Sequence, residues 1–218
     1  MSDRESTNMF GDLKSDIVRR VREFYSRGWV YGTSGNFSAV LERDPLRLAI
    51  TASGVDKGRL DESHILEVDG EGAAQSGDRT PSAETQLHLA ILAARSCGAV
   101  LHTHSVWSTI LSDLHHGNGG LAIAGYEMLK GLAGVHTHEH REWLPILENS
   151  QDLAALAGQV TLTLAAHPHC HGFLLRRHGL YTWGEDLEQA TRHLEILEFL
   201  LDVVGRTSAV ISPPAPGQ

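Results

Sequence analysis

The sequence predicts one α/β domain in which a mainly antiparallel sheet is flanked by helices. Two short alternating segments near the start are joined by Asp44 and Pro45, which indicates a β-hairpin. Later segments switch repeatedly between helical and strand periodicity, and no internal repeat or linker divides the 218 residues. We expect one domain over residues 1–210 and a disordered Pro-rich tail over 211–218.

The first half of the chain is predicted to hold one helix, three strands and a second helix. Apolar residues recur every three or four positions over 12–28, which is typical of a helix that Gly28 ends. A Gly-rich loop at 70–82 precedes a helix over 82–96, with Ser82 as its predicted N-cap. The alternating segments predict strands over 33–42, 46–54 and 64–69.

The second half is predicted to alternate strands and helices. Pro145 favours an edge strand or an extended loop for its segment, because proline has no N–H to donate. A hairpin is expected to turn near His178 and Gly179. In chain order we expect a buried strand at 99–104, a helix at 105–114, a strand at 118–125, a helical turn at 126–132, the Pro145 segment at 139–148, a helix at 150–166, the hairpin at 172–184 and an amphipathic helix at 186–206.

Composition excludes several classes of protein. A net charge of −9 argues against a nucleic-acid partner, which would need a basic face. Apolar runs are too short to predict a membrane span, and the polar N-terminus does not look like a secretory signal. Cys97 and Cys170 have no motif spacing and are expected to be free thiols. We therefore expect a cytoplasmic protein with no nucleic-acid or membrane partner.

Histidine is the residue type that points to chemistry, since the chain has 14 of them. In the predicted strand 99–104, His102 and His104 are two residues apart, so their side chains leave the same face. Neutral imidazole is a common zinc ligand, but two histidines do not complete a site. Buried histidines satisfied by hydrogen bonds would show the same spacing.

A catalytic zinc site usually takes a third protein ligand and leaves one position open. His178 lies at the tip of the predicted hairpin, where the following Gly179 would allow a sharp turn that projects the imidazole. A solvent-exposed turn histidine is the other interpretation. Sequence spacing leaves five candidates open for the third ligand: Glu84, Glu127, His138, His171 and His178.

Two further histidine clusters, which contain His138 and His171, are weaker candidates for a functional metal site. The cluster at 136–140 follows Gly134 and is surrounded by charged residues, so a buried strand is not expected there. The cluster at 167–171 contains Pro168 and is typical of a helix-to-strand connection. Such tracts are compositional signals that can bind stray metal weakly.

Small polar turns suggest a site for an anion such as phosphate. They occur at 33–36, 51–54 and 80–82, the last just before a predicted helix, and Lys57 could add a positive charge. Backbone N–H groups in such turns bind anions. Glu84 and Glu127 become candidates for general acid/base catalysis only if they face the metal.

Six segments, "TSGN", "ITASGVDKGRL", "PSAET", "VLHTHS", "YEMLKGL" and the run from "LLRRHGLYTWG" to "FLLDV", resemble the class II aldolase-like superfamily. The resemblance runs from about Leu13 to Val204 and is closer to a dehydratase branch than to the aldolases. It implies a three-layer α/β/α domain, usually in a homotetramer, and a phosphorylated sugar as substrate. It also implies one Zn²⁺ per subunit, held by His102, His104 and His178.

The resemblance also implies roles for other residues. Glu127 of "EMLKG" corresponds to the catalytic acid/base, and Glu84 of "PSAE" matches the acid/base of related aldolases. Dehydratases of animal origin carry a cysteine at that position. The phosphate-binding region maps to Asn36, Ser53, Gly54 and Ser82, with Lys57 nearby. We expect a zinc-dependent lyase that dehydrates a ketose 1-phosphate. A sugar-phosphate aldolase and a non-catalytic zinc- or phosphate-binding protein are the alternatives.

Overall fold

The computed structural model describes residues 3–211 of the chain. Within that range the chain forms five α-helices and eight strands. The helices are α1 (Asp3–Ser26), α2 (Thr85–Arg95), α3 (Val106–His115), α4 (Leu153–Ala166) and α5 (Leu187–Ile211). The strands are β1 (Asn36–Arg43), β2 (Leu46–Thr51), β3 (Ile65–Asp69), β4 (Ala99–Thr103), β5 (Gly120–Ala124), β6 (Arg141–Leu147), β7 (Gly172–Leu175) and β8 (Gly179–Gly184).

All eight strands lie in one sheet, in the order β3-β2-β1-β4-β8-β7-β6-β5. Every neighbouring pair is antiparallel except β6 and β7, which are parallel. The mainly antiparallel sheet expected from the sequence is therefore confirmed. Strands β4 and β8 lie at its centre, and their ends carry the candidate ligands.

Helices cover both faces of the sheet, which confirms three layers. Buried residues of α1, α3 and α5 form one apolar cluster, and those of α2 and α4 form another. Strand β4 contributes to both, because Leu101 packs in the first cluster and Val100 in the second. This alternation follows from the two-residue repeat of a strand. It directs His102 to the α2/α4 face and Thr103 toward α5, where it donates to Glu198.

The predicted start of the second helix is wrong. Ser82 was expected to cap it, but the helix begins at Thr85 and Glu84 occupies the N-cap position without a side-chain bond. The Ser82 hydroxyl instead accepts from the Glu84 N–H at 3.3 Å, and the Ser82 carbonyl accepts from Thr85. Ser82 thus closes the turn before the helix, and this turn presents Glu84 to the neighbouring strands.

The edge-strand prediction for the Pro145 segment is also wrong. Strand β6 lies between β5 and β7, and β5 is the strand at the edge. Proline is tolerated because β6 pairs with β7 only at Ile146 and Leu147, beyond the residue that lacks an N–H. The other predicted strands and helices are present, with α1 beginning at Asp3 and α5 continuing to Ile211.

Gly179 is needed for close packing rather than for the turn. A Cβ on Gly179 would lie 1.9 Å from the Thr103 carbonyl oxygen of β4. The left-handed residue of the hairpin is Arg177, with φ 55°. The expectation that Gly179 makes the sharp turn is therefore wrong, although the turn does project His178.

Three smaller expectations concern the termini, the cysteines and the membrane. Of the predicted tail, Ile211 ends α5, and residues 212–218 lie outside the described residues. Cys97 and Cys170 are both buried and free. Across residues 3–211, every helix is too short or too polar to span a bilayer.

Candidate active site

Three imidazoles converge at one end of the central strands. His102 lies on β4, His104 follows its end, and His178 lies on the turn between β7 and β8. Their Nε2 atoms are 2.8 Å apart for His102 and His104, 3.3 Å for His102 and His178, and 3.2 Å for His104 and His178. We call these three residues the triad. Of the five candidates for third ligand, the hairpin residue is the one that completes this group.

The rings of the triad are held by bonds at their other nitrogens. The His102 Nδ1 is 2.9 Å from the Leu180 carbonyl oxygen, which can only accept, so this nitrogen carries the hydrogen and Nε2 has the lone pair. The His178 Nδ1 lies 3.3 Å from the Asn149 Oδ1. Such partners fix the tautomer and the direction of a metal-binding imidazole.

Electrostatics keep the triad neutral. Burial, followed by the neighbouring imidazoles, holds the pKa of His102 well below its usual value. Burial and then His178 lower the pKa of His104 to about 3. The pKa of His178 is also lowered by burial, against the opposing charge of Glu84. Three neutral imidazoles that face one another, with a lone pair on the Nε2 of His102, suit a cation.

The spacing of the three nitrogens fits a tetrahedral metal. Zinc binds imidazole nitrogen at roughly 2.0–2.1 Å, which places two such nitrogens about 3.3 Å apart in a tetrahedron. Two of the three measured separations match this value closely and the third, 2.8 Å, is shorter. With three protein nitrogens, one tetrahedral position would stay open for a substrate oxygen.

Glu84 is the carboxylate beside the triad. Its Oε2 lies 3.4 Å from the His102 Nε2, and its Oε1 lies 3.4 Å from the His178 Nε2. The Asn36 Nδ2 donates to Glu84 Oε2 at 2.6 Å, and the Asn36 Oδ1 is held by the Nε2 of the buried His88. Asn36, predicted to bind phosphate, therefore has both ends of its side chain occupied in positioning Glu84.

Tyr181 is a residue that sequence reasoning missed. Its ring stacks on His102, with centroids 3.9 Å apart and planes 10° apart. Its hydroxyl is buried and has no hydrogen-bond partner among the described residues. Burial and then the Glu84 carboxylate hold its pKa well above the usual value, so it stays protonated. Tyr181 is paired directly with His102 across β8 and β4, and that register would have revealed it.

The predicted phosphate turns meet the triad around one cavity of about 240 Å³. Residues from all three polar turns line it, and His104, His178 and Glu84 form part of its wall. The predicted phosphate residues found in this lining are Asn36, Ser53, Gly54, Lys57 and Ser82. Segments from distant parts of the chain are thus brought to one place.

Lys57 is the positively charged residue in the lining of this cavity, and it is almost fully buried. Its Nζ donates to the carbonyl oxygens of Thr33 at 2.8 Å and Val55 at 3.0 Å. Burial lowers its pKa to about 8, so the ammonium form still predominates at neutral pH. With three N–H groups and two carbonyl partners, the ammonium keeps one donor for an anion.

Glu127 is not beside the triad of its own chain. Its side chain is 69% exposed, it forms an ion pair with Lys130, and it lies 3.7 Å from the His138 Nδ1. The hydrogen bond from Lys130, followed by the charges of Lys130 and His138, lowers the pKa of Glu127 against the opposing effect of burial. Within the described chain, Glu84 and not Glu127 is the carboxylate beside the triad.

Comparison with known proteins finds a matching family and similar sequences. The Class II Aldolase and Adducin N-terminal domain family matches residues 15–204. The methylthioribulose-1-phosphate dehydratase of Pseudomonas aeruginosa is 46% identical over 191 residues, covering 87% of this chain and 92% of that protein. The methylthioribulose-1-phosphate dehydratase of Marinobacter nauticus is 44% identical over 194 residues, covering 88% and 92%.

Solved structures share the same fold. YgbL of Klebsiella pneumoniae superposes with a TM-score of 0.75 at 27% identity and covers 90% of each chain. The L-fuculose-1-phosphate aldolase of Thermus thermophilus superposes with a TM-score of 0.73 at 23% identity, covering 92% of this chain and 97% of that one.

Proposed function

The chain belongs to the class II aldolase and adducin N-terminal domain family, and we propose that it is a methylthioribulose-1-phosphate dehydratase of methionine salvage. The observation that carries this proposal is the meeting of the triad, Glu84 and the phosphate turns around one cavity. Relatives of that name share 44–46% of their residues with it over more than nine-tenths of their own length. The reaction is the conversion of 5-methylthioribulose 1-phosphate to 5-methylthio-2,3-dioxopentyl phosphate and water.

We propose Zn²⁺ as the metal, one per subunit, with His102, His104 and His178 as ligands. The support is the set of three neutral nitrogens, their spacing and the open fourth position. A Lewis acid held there would polarise the C2 carbonyl of the substrate and acidify the proton on C3.

Glu84 is placed to handle protons beside the reacting carbons. Its oxygens lie 3.4 Å from two of the triad nitrogens, so it borders the open side of the group. Asn36 fixes one carboxylate oxygen, which leaves the other to take a proton from C3 or deliver one to the departing C4 hydroxyl. Loss of the C3 proton and of the C4 hydroxyl gives an enol that tautomerises to the diketone. Tyr181 adds a protonated hydroxyl close to this carboxylate.

The phosphate group fits the polar turns at the far side of the cavity. Lys57 supplies a positive charge there despite the net charge of −9 on the chain. The hydroxyls of Ser53 and Ser82 and the turn at Gly54 suit a phosphate. The backbone N–H groups of the two serines already donate to the carbonyl oxygens of Thr80 and Thr51. Binding at this end holds the reacting carbons against the triad and Glu84.

We propose that Glu127 serves the triad of a neighbouring copy in a homotetramer. Its sequence segment corresponds to a catalytic one, yet its side chain is exposed and is not among the residues that line the cavity of its own chain. Mixing Glu127→Gln subunits with His178→Ala subunits tests this. Random exchange should restore roughly a quarter of the active sites, because each site needs one intact triad and one intact Glu127. If the mixed subunits recover no activity, Glu127 does not serve the triad of a neighbouring subunit.

A sugar-phosphate aldolase is the second candidate, and the position of Glu84 favours it. The aldolase resemblance assigns the acid/base role to this same glutamate, which the fold brings to the triad. Such an enzyme would break a carbon–carbon bond rather than expel water. Incubation with 5-methylthioribulose 1-phosphate and with a ketose 1-phosphate separates the two. We expect the diketone from the first substrate, whereas triose phosphate and aldehyde from the second would support the aldolase.

A further inference from the structure

A second group of titratable residues lies at the opposite end of the sheet from the triad. His140, Glu142 and His171 lie near the starts of β6 and β7, where β7 pairs with the last residues of β8. We call these three residues the Glu142 cluster. Glu142 is 1% exposed, and a cavity of about 520 Å³ lies beside His140 and His171. None of these residues takes part in the function proposed above.

The bonds of the cluster determine where its protons lie. The Glu142 Oε2 lies 2.9 Å from the His140 Nε2 and 2.9 Å from the His171 Nδ1, and its Oε1 accepts the His171 backbone N–H at 2.8 Å. The other nitrogen of His171, Nε2, is 2.9 Å from the Ala133 carbonyl oxygen. Against the effect of burial, the pKa of Glu142 is lowered, chiefly by His171, so the carboxylate is ionised. With Glu142 ionised, both ring nitrogens of His171 face atoms that only accept, and each carries a hydrogen.

His193 has the opposite state. Its Nδ1 is 2.7 Å from the Trp183 carbonyl oxygen, so this nitrogen donates. Its Nε2 accepts the Ala133 N–H at 3.0 Å, which only an unprotonated nitrogen can do. His193 is therefore neutral, and its ring centroid is 5.2 Å from that of His171. Ala133 is thus held at both its backbone groups, by a neutral and by a charged histidine.

Ala133 lies just after the short helical turn Glu127–Gly131, which carries the proposed acid/base. Gly131 packs so closely on α5 that a Cβ there would lie 2.5 Å from the Ile196 Cδ1. The segment from Glu127 to His140 is therefore fixed to the body of the protein at Gly131, at Ala133 and at His140.

We propose that His171, as an imidazolium bound to the buried Glu142, is a positioning residue that holds Ala133 and thereby the Glu127 segment. The inference depends on the proposed function only for the catalytic role of Glu127. The charge on His171 lets one ring bind a carboxylate and a backbone carbonyl at once, which a neutral ring cannot do. Loss of that proton would release one of the two bonds and loosen the segment.

The surroundings of His171 support a charged ring. Burial opposes the charge, but the bond and the charge from Glu142 outweigh it, and the pKa of His171 is raised. Arg95 of α2 acts in the lowering direction, and His193 of α5 and His140 are the other titratable rings near it. Because the pKa is raised, the two bonds from the His171 ring are fully formed at pH values below the usual histidine pKa. They are lost as pH rises through the raised pKa of His171.

Hydrogen exchange of the wild-type protein and of His171→Gln tests the proposal directly. We expect faster exchange across residues 132–140 in the variant and a tenfold to about hundredfold lower kcat, with little change in KM, because a small misplacement of a catalytic group has such effects. His169→Gln is the matched control, since His169 is an exposed neighbour on the same loop. It should match the wild type in both measurements.

Glu142→Gln distinguishes positioning by charge from simple packing. It keeps the shape of the side chain but removes the charge that raises the pKa of His171, so protection of residues 132–140 should be lost at lower pH than in the wild type. The ¹⁵N shifts of the His171 ring in the wild-type protein should show two protonated nitrogens at neutral pH.

Three results would overturn the proposal. These are a neutral His171 ring at neutral pH, an unchanged pH dependence in Glu142→Gln, and a second bound metal that His171→Gln removes. The spectra and the exchange data need no substrate and use the wild-type fold, so they decide the matter even if His171→Gln does not fold. Failure of the proposed function would appear separately, as a wild-type protein that forms no diketone.

Discussion

The triad and the Glu142 cluster each bring three potential metal ligands within 4.8 Å of one another, yet their chemistry differs. In the triad, the Nδ1 of His102 donates to a carbonyl oxygen, and its Nε2 faces the other two imidazoles. In the Glu142 cluster, the nitrogens point at a carboxylate that accepts their hydrogens. The triad is suited to a cation from solution. In the Glu142 cluster, the His171 imidazolium is itself the cation. The partner of each nitrogen, rather than the density of histidine, therefore distinguishes a metal site from a structural one.

Removing a triad ligand should have the largest effect on the chemistry. We expect His178→Ala to lose bound zinc and to lower turnover by roughly a thousandfold or more, because Lewis-acid stabilisation is worth several kcal/mol. Metal content and the rate of diketone formation measure the two effects. His136→Ala, at an exposed position in the neighbouring histidine-rich segment, should keep both. Zinc retained at full stoichiometry in His178→Ala would remove the triad from consideration.

Changing the carboxylate beside the triad should affect turnover but not the metal. Glu84→Gln keeps the bond from Asn36 but cannot transfer a proton, so we expect about a hundredfold or greater loss of kcat with zinc unchanged. Glu67→Gln, a carboxylate of β3 that pairs with Arg47, is the control. Wild-type turnover in Glu84→Gln would transfer the proton chemistry to another group.

Much of this comparison could be predicted from the sequence, and the reasons for the rest are physical. Strand alternation placed His102 and His104 on one face, and the hairpin placed His178. The relative positions of Glu84 and Glu127 were not predictable, because they depend on where a turn and a short helix pack. The Glu142 cluster was missed because Glu142 follows the histidines in an apparently exposed segment, and it meets His171 only through the parallel pairing of β6 and β7.

The Glu142 cluster should instead dominate stability. Glu142→Ala leaves the His171 charge buried without its partner, and we expect a loss of about 3–5 kcal/mol in the free energy of unfolding. Urea denaturation measures it, and zinc stoichiometry should be unchanged. The free energy of unfolding of metal-free His178→Ala should differ less from that of the metal-free wild type. Equal losses for both would contradict the division between them.

The smallest expected effect is the pH dependence of that stability. Burial opposes the Glu142 charge, but His171 and His140 lower its pKa overall, whereas the pKa of His171 is raised. The ion pair therefore stabilises the fold at pH values between the pKa of Glu142 and the pKa of His171. Its contribution falls as pH drops through the pKa of Glu142 or rises through that of His171. The difference in unfolding free energy between wild type and Glu142→Gln should reach about 1.5–3 kcal/mol in that window. A difference that does not change with pH would mean that the pair is uncharged.

Anomalous diffraction at the zinc edge, on crystals grown with excess zinc, tests the contrast between the two clusters most directly. We predict one strong peak per chain, bonded to the Nε2 atoms of His102, His104 and His178, and no peak between His140, Glu142 and His171. A peak at the second cluster, or none at the first, would contradict the account.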